Sequence, residues 1–310
     1  MENLHTDYDV IIVGGGTAGL TAAIYCCRAG KHVLVLEAAM FGGQIVNTPE
    51  VENYPGIQNI SGFDFTMQLH SQAAALGAEL KSEDVKAVQN GTVKTAVTVS
   101  GSYTCKAVIL ACGAKNRPLG LENEQALTGR GVSYCATCDG MFFKGKTVAV
   151  VGGGNTALED CACLANICEK VYLIHRRDTF RGEKALADRL TKLTNVQFIL
   201  DSTVKALHGD TALKSIEVTN KKTGAKTERA VSGVFAAVGQ VPNTQAFAGL
   251  VQTDAAGYIV AGEDCQTDLP GIFTAGDCRT KAVRQLTTAA ADGAVAATAA
   301  CAYCDSCTQS

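Results

Sequence analysis

Short apolar runs, glycine-rich turns and helical patterns follow one another in the same order at two places in the chain. The first copy begins with the apolar run at residues 9–13, followed by the turn Gly-Gly-Gly-Thr-Ala-Gly at residues 14–19. A helical pattern then covers residues 20–29, Gly30 ends it, and a second apolar run occupies residues 32–36. Buried strands that alternate with helices in this way predict a parallel βαβ unit.

The second copy repeats this order. A strand predicted at residues 147–151 leads into Gly-Gly-Gly-Asn-Thr-Ala at residues 152–157, a helix that continues to Ile167, and a strand at residues 171–174. Each turn has the glycine spacing of a dinucleotide-binding site and lies between a strand and a helix, which is the context that such a site requires. The repeat therefore predicts an α/β protein with two Rossmann-like nucleotide-binding domains.

Three positions of the glycine pattern in each turn have a physical purpose. The first glycine permits the tight turn, the second lets the backbone approach a pyrophosphate, and the third position packs the helix closely on the strand. Free N–H groups and the positive dipole end of the helix then face the phosphates. In this order the positions are Gly14, Gly16 and Gly19 in the first copy, and Gly152, Gly154 and Ala157 in the second, where Asn155 and Thr156 precede Ala157.

The residues at the end of the second strand differ in charge between the copies. Glu37 ends the first, and a carboxylate there accepts hydrogen bonds from the free ribose hydroxyls of FAD or NAD. The equivalent place in the second copy is basic, with His175, Arg176, Arg177 and Arg181. Cationic side chains suit a 2′-phosphate, so we predict NADPH at the second copy. The alternative is a solvated basic patch.

Composition adds limits to this picture. The chain has 310 residues, of which 47% are hydrophobic and 18% are charged, and this length allows two domains with separate cores. The net charge of −3 offers no basic field for nucleic acid or an anionic membrane, and no apolar run is long enough to span a bilayer. The polar residues 1–9 lack the pattern of a secretory signal, so we expect a cytoplasmic location.

Just before the second copy, the sequence Cys-Ala-Thr-Cys-Asp-Gly occupies residues 135–140. Cys135 and Cys138 are spaced to form a small redox-active disulfide, which could accept two electrons in a protein that also binds a flavin and a nicotinamide. Asp139 is a candidate acid/base for the thiol proton, or alternatively a turn carboxylate. Zinc would need further Cys or His ligands nearby, and none follows, so we predict no metal at this pair.

The chain has fourteen cysteines, and most suit a reducing compartment as small buried hydrophobes. Those in predicted helices are Cys26, Cys27, Cys161, Cys163 and Cys168. A second group, spaced by three residues near the end of the chain, consists of Cys301, Cys304 and Cys307. These three thiols could share one side of a helix end as a thiol relay or as ligands of a metal or cluster. The alternative is an exposed terminus without a role.

Taken in order, these features closely resemble the low-molecular-weight thioredoxin reductases of bacteria over nearly the whole chain. Besides the two glycine-rich turns and the Cys-Ala-Thr-Cys-Asp-Gly motif, the matching motifs are Gly-Gly-Gln at 42–44, Val-Glu-Asn-Tyr-Pro-Gly at 51–56, His-Arg-Arg-Asp at 175–178, Gly-Ile-Phe-Thr-Ala-Gly-Asp at 271–277 and Arg-Gln at 284–285. Two features depart from the pattern. Thr17 stands where many members have proline, and the three tail cysteines are not expected.

The resemblance implies a discontinuous FAD domain, residues 1–117 and 244–310, with an NADPH domain inserted at residues 118–243. The crossovers at residues 111–118 and 238–243 would be hinges, and a homodimer is implied. Residues that would contact FAD by this resemblance are Glu37, Gly42, Gly43, Gln44 and Asn53, with Asp277 at the ribityl chain and Arg284, Gln285 and Leu286 opening the last helix near the flavin.

The activity implied is reduction of a thioredoxin or thioredoxin-like small protein. Hydride would pass from NADPH to FAD and then to the Cys135–Cys138 disulfide, with Cys138 facing the flavin and Cys135 attacking the partner. Other acceptors remain open, because an acceptor surface is not a motif: a glutaredoxin-like protein, a peroxiredoxin or a small disulfide. Three other classes of protein are disfavoured. A ferredoxin–NADP reductase or a non-catalytic nucleotide sensor would have no use for Cys135 and Cys138. A ferredoxin-driven thioredoxin reductase would have no use for the arginines at 176, 177 and 181.

Overall fold

The structure is a computed structural model that describes residues 6–48 and 50–309. The chain divides into two compact units. The first unit combines Met1–Lys115 with Val241–Ser310, and the second unit consists of Asn116–Gln240. The domain boundaries predicted from the sequence lie after residue 117 and after residue 243. The first five residues of the segment 1–9, on which the expected lack of a secretory signal rests, lie outside the described residues.

The N-terminal part of the first unit contains the predicted βαβ unit and a β-meander that follows it. Its elements are β1 (Tyr8–Val13), α1 (Thr17–Arg28), β2 (Val33–Leu36), a 3₁₀ helix (Gly43–Asn47), α2 (Gly62–Ala75), β3 (Glu79–Lys81), β4 (Val85–Gln89), β5 (Lys94–Thr98), β6 (Ser102–Leu110) and β7 (Ala114–Asn116). The strands β1, β2, β3 and β6 are parallel, whereas β5 pairs with β6 and β4 pairs with β5 in antiparallel orientation.

The second unit contains the other βαβ repeat. Its elements are α3 (Glu124–Leu127), β8 (Val132–Ser133), α4 (Ala136–Asp139), a 3₁₀ helix (Gly140–Phe143), β9 (Thr147–Gly152), α5 (Asn155–Ala165), β10 (Lys170–Ile174), α6 (Lys184–Leu190), β11 (Val196–Ile199), β12 (Ser202–His208), β13 (Ser215–Asn220), β14 (Lys226–Ala230), β15 (Gly233–Ala237) and β16 (Gln240–Pro242). A parallel sheet has the order β11-β10-β9-β15-β8, and β12, β13 and β14 form a separate antiparallel sheet.

The returning chain completes the first unit with 3₁₀ helices at Gln245–Phe247 and Gly276–Cys278, the strand β17 (Ile272–Thr274) and the long helix α7 (Leu286–Gln309). The sheet of this unit has the order β3-β2-β1-β6-β5-β4, and β17 pairs with β6 in parallel. The short strands β7 and β16 pair with each other, and each spans a boundary between the two units along the chain.

The core of the first unit lies on both faces of its sheet, because side chains of a strand alternate between the faces. Val10 and Ile12 of β1 join a cluster with α1 and α7, whereas Ile11 and Val13 join a cluster on the opposite face. The second unit is also layered, with Val148 of β9 packed toward α5 on one side of its sheet. These layers confirm the predicted α/β fold class.

Element boundaries differ from the sequence prediction at a few places. Helix α1 begins at Thr17 rather than at residue 20, because the last residues of the glycine-rich turn already belong to the helix. Cys168 lies beyond the end of α5 at Ala165, so its predicted place in that helix is wrong, although its side chain is buried. Among the helices of the described residues, none is both long and apolar enough to cross a membrane.

Candidate functional site

The first glycine-rich turn is shaped by close backbone contacts. Gly14 has a φ of 108°, and a Cβ there would lie 2.3 Å from the Ala111 carbonyl oxygen. A Cβ on Gly19 would lie 1.8 Å from the carbonyl oxygen of Gly14. Only glycine therefore fits these two positions. Helix α1 starts after Gly16 with no side chain capping it, so its first N–H groups stay available to an anionic ligand.

Glu37, at the end of β2, holds this turn directly. Its Oε2 accepts a hydrogen bond of 2.7 Å from the N–H of Gly15, and its Oε1 accepts one of 2.9 Å from Ala39. Gly42 N–H donates to the Gly15 carbonyl at 2.8 Å and so joins the next loop to the turn. Because each carboxylate oxygen has a second lone pair, Glu37 can also accept hydrogen bonds from ribose hydroxyls.

Asp277 has an unpaired buried oxygen. Its Oδ1 has no hydrogen-bond partner among the described residues. Burial raises the pKa of this carboxyl, although Lys281 and Arg284 oppose that effect. An unpaired buried polar atom indicates a missing ligand group, because such an atom is otherwise costly. A hydroxyl of the flavin ribityl chain would satisfy it, so the residues present fit a bound flavin.

A buried ionic network positions the loop that carries Asp277. Asp292, inside α7, accepts hydrogen bonds from Arg279 Nε at 2.9 Å, from Lys281 Nζ at 2.8 Å and from the N–H of Gly276 at 2.9 Å. Burial alone would raise the pKa of Asp292, but the bonds from Arg279 and Lys281 hold it below its ordinary value. This network was not predicted from the sequence, although Asp292 is one of two charged residues in the alanine-rich helix α7.

The other residues predicted for FAD lie in the same unit. Asn53 Nδ2 donates to Gln285 Oε1 at 3.3 Å, and Gln44 donates to the carbonyl of Ala114. Gly42 and Gly43 have φ values of 115° and 69°, which favour glycine. The guanidinium of Arg284 lies 4.2 Å from the ring centre of Tyr258 and donates to the Asp277 carbonyl at 3.3 Å. Leu286 is the first residue of α7.

The second glycine-rich turn combines one tight contact with an open position. A Cβ on Gly152 would lie 2.3 Å from the Ala237 carbonyl oxygen, whereas one on Gly154 would have nothing within 4 Å. Helix α5 starts at Asn155 and has no side-chain cap. The Asn155 side chain instead accepts a hydrogen bond of 2.7 Å from the N–H of Glu183, and Thr156 is exposed. A phosphate could therefore approach the backbone at Gly154.

The basic residues of the second unit lie beside this turn. Arg176, Arg177 and Arg181 are exposed, and none forms an ion pair with a described residue. The N–H of Arg181 donates to the Gly153 carbonyl at 2.7 Å, which fixes this loop against the turn. Free guanidinium groups at this place could bind a phosphate with two parallel hydrogen bonds.

His175 differs from the arginines, because its ring is buried with only 5% exposure. A Cβ on Gly153 would lie 2.2 Å from the ring, which stacks on Phe180 at a centroid distance of 5.5 Å. Burial lowers the pKa of His175, and the positive charge of Arg181 lowers it further. The ring is therefore neutral at neutral pH and adds no charge to the arginine group.

Cys135 and Cys138 form a disulfide, as their spacing predicted. Cys135 directly precedes helix α4, and both side chains are partly exposed. Asp139 ends the helix, where the Ser133 hydroxyl donates to its Oδ2 at 2.6 Å. Burial raises the pKa of Asp139, with the hydrogen bond from Ser133 opposing the effect. A carboxyl whose pKa is raised can hold a proton beside a thiol, which suits an acid/base role.

The sequence left two interpretations of the tail cysteines, a thiol relay or metal site and an exposed terminus without a role. Two of the three cysteines do not lie at an exposed terminus. Cys301 and Cys304 are buried within α7, and Cys307 is partly exposed. Across residues 6–48 and 50–309, no group of three or more His, Cys, Asp and Glu side chains is arranged to hold a metal ion.

The sequence pattern of the pyridine nucleotide-disulphide oxidoreductases matches residues 8–293. The chain belongs to the pyridine nucleotide-disulphide oxidoreductase family. A relative in this family, the thioredoxin reductase of Treponema pallidum (strain Nichols), is 44% identical over 307 residues, which cover 97% of this chain and 99% of the relative. The bifunctional thioredoxin reductase/thioredoxin of Mycobacterium leprae (strain TN) is 43% identical over 296 residues, covering 94% of this chain and 65% of the relative.

A solved structure supports the same placement. The crystal structure of thioredoxin reductase from Streptococcus pyogenes MGAS5005 has a TM-score of 0.91 and 42% identity to this chain, and covers 96% of it and 98% of its own chain. The predicted resemblance to the thioredoxin reductases is therefore confirmed. Membership in the pyridine nucleotide-disulphide oxidoreductase family implies that the chain is an oxidoreductase that uses a flavin and a pyridine nucleotide.

Proposed function

We propose that this protein uses NADPH to reduce the disulfide of thioredoxin or of a thioredoxin-like small protein. The observation that carries this proposal is the Cys135–Cys138 disulfide, which has the partly buried carboxyl of Asp139 directly after it. A disulfide of this kind has a clear use in a family whose members transfer electrons from pyridine nucleotides to disulfides.

The first unit is proposed to bind FAD. The turn at Gly14 and Gly19 and the uncapped start of α1 fit a pyrophosphate, and Glu37 fits a ribose. The unpaired Asp277 Oδ1 supports a ribityl hydroxyl at the other end of the site. When bound, FAD supplies the two-electron carrier between NADPH and the disulfide.

The second unit is proposed to bind NADPH, with its pyrophosphate at Gly152 and Gly154. Arg176 and Arg181, exposed and without ion-pair partners among the described residues, would bind the 2′-phosphate. Arg177 adds positive charge beside them. His175, buried and neutral, would support the turn from beneath rather than pair with the phosphate.

The thiol chemistry follows from the cysteine pair. In the reduced state, the Cys135 thiolate would attack one sulfur of the partner disulfide, form a mixed disulfide and release the other partner sulfur as a thiolate. Cys138 would then attack Cys135, re-form the Cys135–Cys138 bond and release the partner as a dithiol. Asp139 would donate a proton to the departing thiolate, since burial favours its protonated form.

The partner is proposed to be a thioredoxin. The Mycobacterium leprae relative, whose name combines thioredoxin reductase and thioredoxin in one protein, supports this choice over a peroxiredoxin or a small disulfide. A homodimer, which the family resemblance implies, and the cytoplasmic location expected from the sequence complete the proposal.

The test is NADPH oxidation by the purified protein with and without a thioredoxin of the same organism. We expect oxidation to require thioredoxin and to be lost in a Cys138→Ser variant. A Cys163→Ser variant is the matched control, because Cys163 is also a partly exposed thiol of the second unit but has no disulfide partner. NADPH oxidation that thioredoxin does not increase, with an intact Cys138, would contradict thioredoxin as the acceptor.

A further inference from the structure

Four cysteines meet where α1 packs on α7 in the first unit. Cys26 and Cys27 belong to α1, and Cys301 and Cys304 belong to α7. Cys26 is fully buried, Cys301 is 8% exposed and Cys304 is 1% exposed. None of the four belongs to the nucleotide turns or to the redox pair, so the proposed function leaves them without a use.

Cys26 lies against the face of α7 that carries Cys301. Its Sγ lies 4.0 Å from the carbonyl oxygen of Ala297, one helical turn before Cys301. Cys26 and Cys301 belong to the same buried cluster, and each shifts the pKa of the other. A small movement of two neighbouring side chains is enough to bring their sulfurs to bonding distance, provided the helices are already close. They are close, since a Cβ on Gly293 of α7 would lie 2.3 Å from the Ala18 carbonyl of α1.

The surroundings make the two thiols unequal. The interaction with Cys26 lowers the pKa of Cys301, and the positive charge of Lys31 also lowers it, against the opposing effects of burial and of the charges of Asp305 and Asp9. The same interaction and burial raise the pKa of Cys26. Cys301 is also the more exposed thiol, at 8% against 0% for Cys26. Cys301 is therefore the nucleophile of the pair, and Cys26 is the thiol that can follow it.

We propose that Cys26 and Cys301 are a second redox-active dithiol, which a hydroperoxide oxidises to a disulfide that joins α1 to α7. The Cys301 thiolate attacks the O–O bond of hydrogen peroxide and becomes a sulfenic acid, and hydroxide leaves. The Cys26 thiol then attacks the Cys301 sulfur, forms the S–S bond and releases water. In sum, the two thiols lose two electrons and two protons, and one molecule of hydrogen peroxide becomes two molecules of water.

The neighbouring thiols are placed less well for this reaction. Cys304 points its sulfur at the Asp9 carbonyl at 3.5 Å, and burial raises its pKa to about 12. Cys27 follows Cys26 directly in α1, and adjacent helical residues do not share a face. Burial raises the pKa of Cys27 as well. The pairing is therefore specific to Cys26 with Cys301.

The experiment maps disulfides in the full-length protein. Reduced protein is treated with hydrogen peroxide, free thiols are blocked with N-ethylmaleimide, and the protein is digested with trypsin and chymotrypsin for mass spectrometry. Cleavage after Tyr303 separates Cys301 from Cys304 and Cys307, whereas a Cys27→Ala variant distinguishes Cys26 from its neighbour. The Cys135–Cys138 disulfide in the same sample reports that oxidation took place.

We expect a linked peptide that contains Cys26 and Cys301 and is two hydrogens lighter than its reduced parts. It should persist in Cys27→Ala and Cys304→Ala, and disappear in Cys26→Ala and Cys301→Ala. Cys161→Ala, at a buried thiol of the second unit, is the matched control and should leave the link unchanged. The proposal would be overturned if Cys301 were joined to another cysteine. It would also be overturned if Cys26 and Cys301 both carried N-ethylmaleimide in a sample in which Cys135 and Cys138 had oxidised. The readout needs no turnover, so its failure is separate from failure of the proposed function.

Discussion

The two glycine-rich turns share a spacing but differ in what surrounds them. The first is enclosed, because Glu37 accepts a hydrogen bond from the N–H of Gly15 in the turn, and the returning chain supplies a buried ionic network nearby. The second is open at Gly154, and its arginines face solvent without ion-pair partners among the described residues. Glu37 is thus bonded into the fold, whereas the arginines make no ion pair with a described residue and are available to a ligand.

This difference has a physical consequence for mutation. A charged side chain that the fold does not use can be removed with little loss of stability, so its loss affects ligand binding alone. A charged side chain built into the fold affects both. The two turns should therefore respond differently when their charged residues are replaced, and the changes below are ordered by the size of the expected effect.

The largest effect is expected from replacing Arg176 and Arg181 together with alanine. Each charged hydrogen bond to a phosphate is worth about 1.5–3 kcal/mol, so kcat/KM for NADPH should fall at least about 100-fold. The value for NADH should stay nearly unchanged, because NADH lacks the 2′-phosphate. The control replaces the exposed arginines Arg130 and Arg189 of the same unit. Steady-state kinetics that show equal losses with both nucleotides would exclude a 2′-phosphate site here.

The next effect is on stability and concerns the first unit. Asp292→Ala leaves Arg279 and Lys281 buried without their partner, which should cost about 3–5 kcal/mol in the free energy of unfolding. Asp305→Ala in the same helix is the control. That carboxylate is 61% exposed in its pair with Lys31, so its loss should cost no more than about 1 kcal/mol. Urea unfolding curves of equal midpoint for both variants would contradict the stabilising role of the network.

A smaller effect is expected from Glu37→Gln, which removes the charge but keeps one acceptor oxygen. Charged hydrogen bonds to the turn and to a ribose are each worth about 1.5–3 kcal/mol, so flavin affinity should weaken roughly ten- to hundredfold. Glu83→Gln, which alters a carboxylate that accepts bonds from Thr98 and Tyr103 in the same unit, should leave flavin affinity unchanged. Flavin titrations of the stripped protein measure both constants, and an unchanged affinity in Glu37→Gln would remove this residue from the site.

The smallest effect concerns pH and Asp139. Burial raises the pKa of this carboxyl in the folded protein, so ionisation lowers stability as pH rises above the ordinary value of about 4. Asp139→Asn removes that loss. The variant should therefore be slightly more stable than the parent at neutral pH, and the difference should shrink as pH falls toward about 4. Denaturant midpoints across this pH range test the sign, and the exposed Asp188→Asn serves as control.

Features that depend on local spacing could be predicted from the sequence. The strand–turn–helix at Gly14 and at Gly152 and the Cys135–Cys138 disulfide each involve residues near one another in the chain, so their spacing carries the information. The burial of His175 was not predicted. A histidine beside arginines has the same sequence pattern whether it faces solvent or lies beneath a turn.

Features that depend on distant residues could not be predicted. The packing of Cys26 on the face of α7 that carries Cys301 and the pairing of β17 with β6 join parts of the chain that only the folded backbone brings together. Asp292 could be recognised as unusual in an alanine-rich helix. Its partners Arg279 and Lys281, however, lie in a loop whose course the helical pattern does not specify.

The pairing of β17 with β6 also sets an order of events during synthesis. When the ribosome has added residue 240, the second unit already has every strand of its parallel sheet. The first unit at that moment still lacks β17 and α7, although its first strands were made long before. Domains generally fold as units during translation. The second unit can therefore fold before the first unit, although the first unit contains the N-terminal strands. The first unit completes its sheet and helical layer only after β17 and α7 have been synthesised.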